Sequence, residues 1–293
     1  SRQVAKMRGD SARKAEEGAT ALANWAAADP QFAHANLVSA CEQLRVPSAL
    51  SSMLSSGSSS TTQAAAASLL GGMCQYPEYA EILEEANVLG PLLATLRSSK
   101  GSDTKAKAAS ALVALTSTIQ GRVQLREAGG LAALLDVLLD ARGPPHAELW
   151  EAVCSVLSNL CDDDSDDWKQ LSQSGAVFSL TAQLSTGSVA LQEALLTLLT
   201  LLCAHPECRD QTADANAMPA VVRLLATNKA AVQRVALALC QQLCGSRKAC
   251  GALLDAGAAA PLATMLSTSA ASDVEVCVAV LECIESLARA GVT

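Results

Sequence analysis

A stack of three-helix repeats is the all-α fold that this 293-residue sequence predicts, and three observations predict it. Half of the chain is apolar, yet it holds only three Trp, two Tyr and two Phe. The apolar mass is therefore Ala and Leu, both strong helix formers, while the aromatics that favour strands are scarce. Charged residues make up 17%, so there is ample surface to bury and disorder is not expected. The third observation is periodic: a turn residue is followed nine positions later by Leu, again and again, with a helix-like apolar pattern between.

The pattern begins weakly at Arg45 to Leu54 and is clear at Asn87 to Leu96, Gly129 to Leu138, Gly175 to Leu184, Asn216 to Leu225 and Gly257 to Leu266. The starting positions are spaced by 42, 42, 46, 41 and 41 residues. Gly and Asn accept the left-handed backbone that ends one helix and turns into the next. Arg45 does not fit that rule. Pro47, Pro91, Pro219 and Pro261 follow two to four places after a corner, where a first-turn Pro costs no helix hydrogen bond and marks a helix start. Polar breaks come next, such as 55–60, 97–103, 141–145, 185–188, 227–229 and 267–273. Longer apolar helices then run over Leu149 to Cys161, Leu191 to Cys203, Val232 to Cys244 and Val274 to Leu287. Each unit thus reads as a short helix, a sharp corner, a medium helix, a loop and a long helix. The expected layout is an N-terminal segment with a partial repeat over 1–30, then six repeats over 31–77, 78–120, 121–165, 166–206, 207–247 and 248–293, forming one continuous domain. One such unit cannot bury its own apolar face, but stacking gives each long helix two neighbours.

A unit of about 42 residues with this corner resembles the armadillo repeat. The stretches "REAGGLAALLDVLLD", "SQSGAVFSLTAQL" and "LDAGAAAPLATML" resemble its first-to-second-helix junction, and "AVCSVLSNLC" its third helix. The two-helix HEAT repeat is the rival, and the glycine corner argues against it. The resemblance covers about residues 11 to 290 and implies a right-handed α-α superhelix whose third helices line a concave, partner-binding surface.

The net charge is −8, which argues against nucleic acid as a partner, since that needs a basic face. No apolar run reaches the roughly 18 residues of a membrane span, so direct membrane insertion is not expected. The basic start (Arg2, Lys6, Arg8, Arg13, Lys14) lacks the apolar stretch of a secretory signal. Eleven Cys, an odd number, without a CxxC pair read as small buried hydrophobes rather than a disulfide framework or metal site. Free thiols imply a reducing, cytoplasmic location. There is no P-loop, no GxGxxG opening a helix, no HExxH and no GxSxG, and the three His (34, 146, 205) are dispersed. No enzyme, cofactor or metal is expected, nor a small-molecule ligand.

Candidate binding residues come from aligning the ends of the third helices on Asn159. The matching positions include Asn24, Ser117, Gln242 and Ser286. In importin-like members of the resembled family this position is an Asn that hydrogen-bonds an extended peptide, an apt task for an amide that both donates and accepts. A Trp one turn earlier completes their site. Here that earlier position holds Ser155, Thr197 and Glu282 among others and never Trp, so the aromatic slots that grip Lys side chains are missing. Asn159 has an alternative role as a local bond at a helix end. The run Asp162, Asp163, Asp164, Asp166 and Asp167 is an acidic patch, read either as a docking site for a basic partner or as a solvated loop before a helix. It lacks the Gly and Glu that would make it a calcium loop. Trp150 and Trp168 are expected to pack at helix starts. The overall expectation is a scaffold or adaptor that holds other proteins or peptides, basic ones among them. Alternatives are a permanent subunit of a cytoskeletal or ciliary assembly, or the substrate-binding part of a larger protein such as a ubiquitin ligase.

Overall fold

The computed structural model describes residues 46–54, 59–73, 88–98, 101–140, 146–161, 166–185, 187–269 and 274–291. All regular structure among them is helical. By compactness the chain divides between Leu160 and Cys161 into two units.

In the first unit the helices are α1 (Val46–Leu54), α2 (Ser60–Met73), α3 (Leu89–Arg97), α4 (Ser102–Thr116), α5 (Ile119–Glu127), α6 (Gly130–Leu138) and α7 (Ala147–Cys161). The second unit contains α8 (Asp167–Gln173), α9 (Ala176–Gln183), α10 (Val189–Leu202), α11 (Pro206–Asp214), α12 (Met218–Leu225), α13 (Ala230–Leu243), α14 (Arg247–Asp255), α15 (Ala259–Ser269) and α16 (Val274–Gly291). From α5 onward, two helices of 7 to 11 residues precede each long helix of 14 to 18; the first and second are similar in length, so the expected step from short to medium is not seen. Like packs on like: α2 on α4, and α10 on α13 and α13 on α16, form layers of third helices. The second helices α1, α3 and α6 make a layer of the first unit, and the first helices α8, α11 and α14 one of the second.

The corners explain the register. Four of the six expected corner residues lie among the described residues, and all four take a positive φ: Gly129 at 69°, Gly175 at 82°, Asn216 at 54° and Gly257 at 82°. Asn216 is the one non-glycine residue among those described to do so, consistent with the tolerance of Asn for left-handed backbone. The Ala217 N–H donates to the Thr212 carbonyl at 3.4 Å and the Ala258 N–H to the Leu253 carbonyl at 3.0 Å. These are the long closing bonds of a Schellman-type helix end, which satisfy carbonyls the helix itself leaves free.

Helix starts are fixed by side chains. Thr118 accepts from the Gly121 N–H at 3.1 Å, Ser188 from the Leu191 N–H at 3.2 Å and Ser246 from the Ala249 N–H at 3.4 Å. Each cap is worth about 1 kcal/mol. A second device ties three of the second helices to the long helix after them. Gln63 donates to the Leu54 carbonyl at 2.8 Å, Gln192 to the Leu184 carbonyl at 3.5 Å and Gln233 to the Leu225 carbonyl at 2.8 Å.

The core is built by the long helices. On α10, Leu191, Leu195, Leu196, Leu198, Leu199 and Leu202 are all buried. Burial of such a set supplies on the order of 10 kcal/mol of gross stabilisation. Trp150 is buried at the start of α7, as expected. Polar links join first helices across repeats. Gln211 on α11 donates to the Ser172 hydroxyl of α8 at 2.9 Å, and Lys248 of α14 meets Asp214 of α11 at 2.5 Å.

No single helix among the described residues is long and apolar enough to cross a membrane; the pair Arg247–Asp255 and Ala259–Thr268 reaches that length only across an 83° bend.

Candidate partner-binding cleft

In the second unit, α13 and α16 lie side by side and leave a cleft of about 440 Å3. Arg234, Leu237, Ala238 and Gln241 come from α13, and their spacing of three and four places them on one helical face. Val274, Glu275, Val276, Val278, Ala279 and Glu282 come from α16. The cleft therefore combines an apolar surface with two carboxylates and one guanidinium. Gln241 spans it, donating through Nε2 to the Glu282 carboxylate at 2.9 Å.

The sequence-derived site residues fall unevenly around this geometry. Glu282 lines the cleft. Gln242 is half-buried beside it on the next helical phase, and its neighbour Gln241 makes the cross-helix contact. Ser286 is half-buried one turn beyond Glu282. Thr197 and Ser155 turn their hydroxyls back onto their own helices, donating to the Glu193 carbonyl at 2.8 Å and the Glu151 carbonyl at 2.9 Å. Ser117, past the end of α4, donates to the Ala114 carbonyl at 2.6 Å. Asn159 uses its amide differently: Nδ2 donates to the Thr116 hydroxyl at 3.0 Å and to the Val113 carbonyl at 3.4 Å, tying α7 to the end of α4. That is a bond between neighbouring long helices, so the donor end of the amide serves packing. Asn24, Asp162, Asp163 and Asp164 lie outside the described residues.

Of the acidic run, Asp166 is exposed and meets Lys169 at 2.6 Å one turn on, while Asp167, at the start of α8, is buried. Trp168 follows, and its ring stacks on His205 with centroids 3.8 Å apart and planes 7° from parallel. The Lys169 ammonium stands 5.7 Å from the same ring. Partial loss of hydration lowers the His205 pKa below its ordinary value; Arg209 and Lys169 push the same way and Glu207 opposes them. Sequence reasoning missed this stack because Trp168, near the start of α8, and His205, just before α11, are far apart in sequence and meet only when the two first helices pack. It missed Arg234, Gln241 and Val278 because alignment on one helix position selects one phase, whereas a cleft is lined by several. The spacing Arg234, Leu237, Ala238, Gln241 was the available signal.

None of the described thiols lines the cleft. Cys240 is buried, and burial pushes its thiol well above the ordinary value. Cys250 donates to the Cys244 carbonyl at 3.4 Å, and burial raises its pKa to about 11. Cys203, in contact with the Thr212 hydroxyl at 3.4 Å, rises to about 12 for the same reason. These groups are protonated and poorly nucleophilic at neutral pH. Among the described residues, no cluster of three or more His, Cys, Asp or Glu is arranged to hold a metal ion.

No protein-family model matches this chain, and no curated protein matches it in sequence. Solved structures do match in shape. The crystal structure of an engineered protein superposes with a TM-score of 0.78 at 22% identity, covering 98% of this chain and 67% of that one. A designed armadillo repeat protein matches with a TM-score of 0.68 at 19% identity, covering 83% of this chain and 98% of its own. A further designed armadillo repeat protein, in complex with the peptide (KR)4, matches at 0.67 and 21%, covering 82% and 98%. Identities this low carry the fold: an all-α, armadillo-type helical repeat.

Proposed function

We propose that this chain is a non-catalytic protein-interaction scaffold that holds an extended basic peptide segment against its third helices, with the α13–α16 cleft as the principal site. The observation that carries this reading is the cleft's composition. Leu237, Ala238, Val278 and Ala279 offer apolar surface for the methylenes of a Lys or Arg side chain, and Glu275 and Glu282 offer carboxylates for its charged head. The net charge of −8 favours the approach of such a segment. The designed neighbour bound to (KR)4 supports the same class of ligand. Lacking Trp at the expected slots, this chain grips the stem with aliphatic rather than aromatic surface. The free thiols of the described residues support a reducing, cytoplasmic setting.

The test is fluorescence anisotropy with a labelled alternating Lys–Arg octapeptide and a Gly–Ser octapeptide of equal length. The basic peptide is expected to bind and the neutral one not. Reversing charge with Glu275→Lys and Glu282→Lys together should weaken binding at least about tenfold, the scale of a lost charge-assisted contact, without altering the melting temperature. Equal binding of both peptides, or an unaltered affinity after charge reversal, would refute the assignment.

A further inference from the structure

The two carboxylates of the α13–α16 cleft are spaced for one form of guest backbone. Glu275 and Glu282 lie seven residues apart on α16. That is two helical turns, so they stand on nearly the same side of the helix, about 10.5 Å apart along its axis. Gln241 meets Glu282 across the cleft, and Arg234 precedes Gln241 by the same seven residues. The cleft therefore runs along the two helices rather than across them. Spread over that length, its volume of about 440 Å3 leaves a cross-section of about 40 Å2. An extended chain occupies roughly 47 Å2, from the spacings of strands and of sheets. A helix 10–12 Å wide occupies about 80 Å2 or more. The cleft thus suits an extended segment and is too narrow for a helix.

Extended chains differ in the spacing they offer. In a β-strand, side chains on one edge recur every second residue, about 6.7 Å apart, or every fourth, about 13 Å apart. In a polyproline II helix they recur every third residue, about 9.3 Å apart. The last value comes within about 1.2 Å of the carboxylate spacing, and the strand values miss it by about 3 Å or more. We infer that the cleft selects a polyproline II segment with Arg or Lys at two positions three apart, one cation on Glu282 and the other on Glu275. The residues between them rest on the apolar strip of Leu237, Ala238, Val278 and Ala279, a surface suited to proline rings. Such a segment is already ordered before it binds, which lowers the entropy cost of capture. The Gln241 hydrogen bond holds Glu282 in place, and a carboxylate has lone pairs enough to accept from a guanidinium as well. Arg234 is the one cation among the described residues that line the cleft. Its register puts it at the Glu275 end, which makes that slot the weaker of the two. The inference rests on the peptide-scaffold reading and adds to it the guest's backbone form and register.

Three labelled octapeptides of identical composition, six Pro and two Arg, test it, with the Arg residues two, three or four positions apart. Charge and proline content are the same in all three, so register alone differs. Fluorescence anisotropy with the 293-residue chain should give the tightest binding at a spacing of three, by about threefold or more, the scale of one exposed ion pair. Glu275→Gln should abolish the preference, so that the three peptides bind alike, with the melting temperature unaltered. Equal affinities for the unsubstituted chain, a preference for two or four, or a preference that survives Glu275→Gln would each overturn the inference. So would tighter binding of a helical, Ala-rich peptide with two Arg seven positions apart. The alternating Lys–Arg octapeptide, run alongside, separates these failures from a failure of the scaffold. If it binds while register is ignored, or while no Pro–Arg peptide binds, the scaffold reading stands and this inference falls. If neither it nor any Pro–Arg peptide binds, both fall.

Discussion

The α2–α4 pair of the first unit and the α13–α16 pair of the second occupy corresponding places in their repeats but leave different surfaces. Ala66 and Ala67 on α2 and Ala106, Ala108, Ala109 and Ala111 on α4 are buried, with Gly71 so placed that a Cβ there would stand 3.5 Å from the Ala111 Cα. Small side chains let these two helices close on each other. On α13 and α16 the facing residues are Arg234, Leu237, Gln241, Glu275, Val278 and Glu282, and a cleft remains between the helices. Side-chain size on one face of the third helix therefore separates a junction that closes from one that leaves a cleft.

The largest expected effect breaks the closed junction. Gly71→Leu should destabilise the chain by about 1–3 kcal/mol through overpacking, read as a lower melting temperature. Ala238→Leu, in the open cleft, should shift stability by no more than about 0.5 kcal/mol while impairing peptide binding. Equal costs at the two sites would erase the distinction. Next in size is a control on what the two regions share. Gly129→Ala and Gly257→Ala each put a Cβ on a left-handed corner and should each cost about 1–2 kcal/mol, whereas Asn216→Gly should be neutral or slightly stabilising. Unequal glycine costs would show that the corners differ between regions.

A smaller effect separates the two cross-helix amides. Asn159→Ala should cost about 1 kcal/mol by removing its bond to the half-buried end of α4. Gln241→Ala, whose bond to Glu282 is exposed, should cost at most about 0.5 kcal/mol. Denaturant melts of both variants measure the difference. The smallest effect at neutral pH belongs to the buried thiols. Cys203 and Cys250 ionise in the folded chain near 12 and 11 rather than at the ordinary 9.0. Because the folded pKa is raised, the neutral thiol's contribution to stability is whole below about pH 9 and is lost as pH rises toward the folded values. Alkaline unfolding between these limits should be delayed in a Cys203→Ala, Cys250→Ala variant relative to its own neutral-pH stability.

The fold was legible because its constraint is local. A helix that must end in a left-handed residue announces itself as Gly or Asn, and Gly129, Gly175, Asn216 and Gly257 adopt that conformation. The long helices likewise start and stop within a few residues of the polar breaks. Loop length is where local reading blurs: residues 267–269, expected in a break, extend α15, since Ser and Thr there can donate back to helix carbonyls. The binding surface was less legible. Ser155 and Thr197 occupy third-helix positions aligned with a binding slot, yet their hydroxyls bond their own helix, a competition that position alone does not reveal. Asn159 looked like a peptide clamp, but whether its amide meets a guest or the neighbouring helix depends on how closely α7 approaches the end of α4. Gln241 rather than Gln242 spans the cleft because 100° of helical phase separates adjacent residues.

Hydrogen–deuterium exchange with and without the alternating Lys–Arg octapeptide tests the central claim most directly, because it locates the guest rather than merely detecting it. The account predicts added protection concentrated in 230–243 and 274–291, with 60–73 and 102–116 unchanged. Protection confined to the α2–α4 junction, or none along α13 and α16 at a saturating peptide concentration, would contradict it.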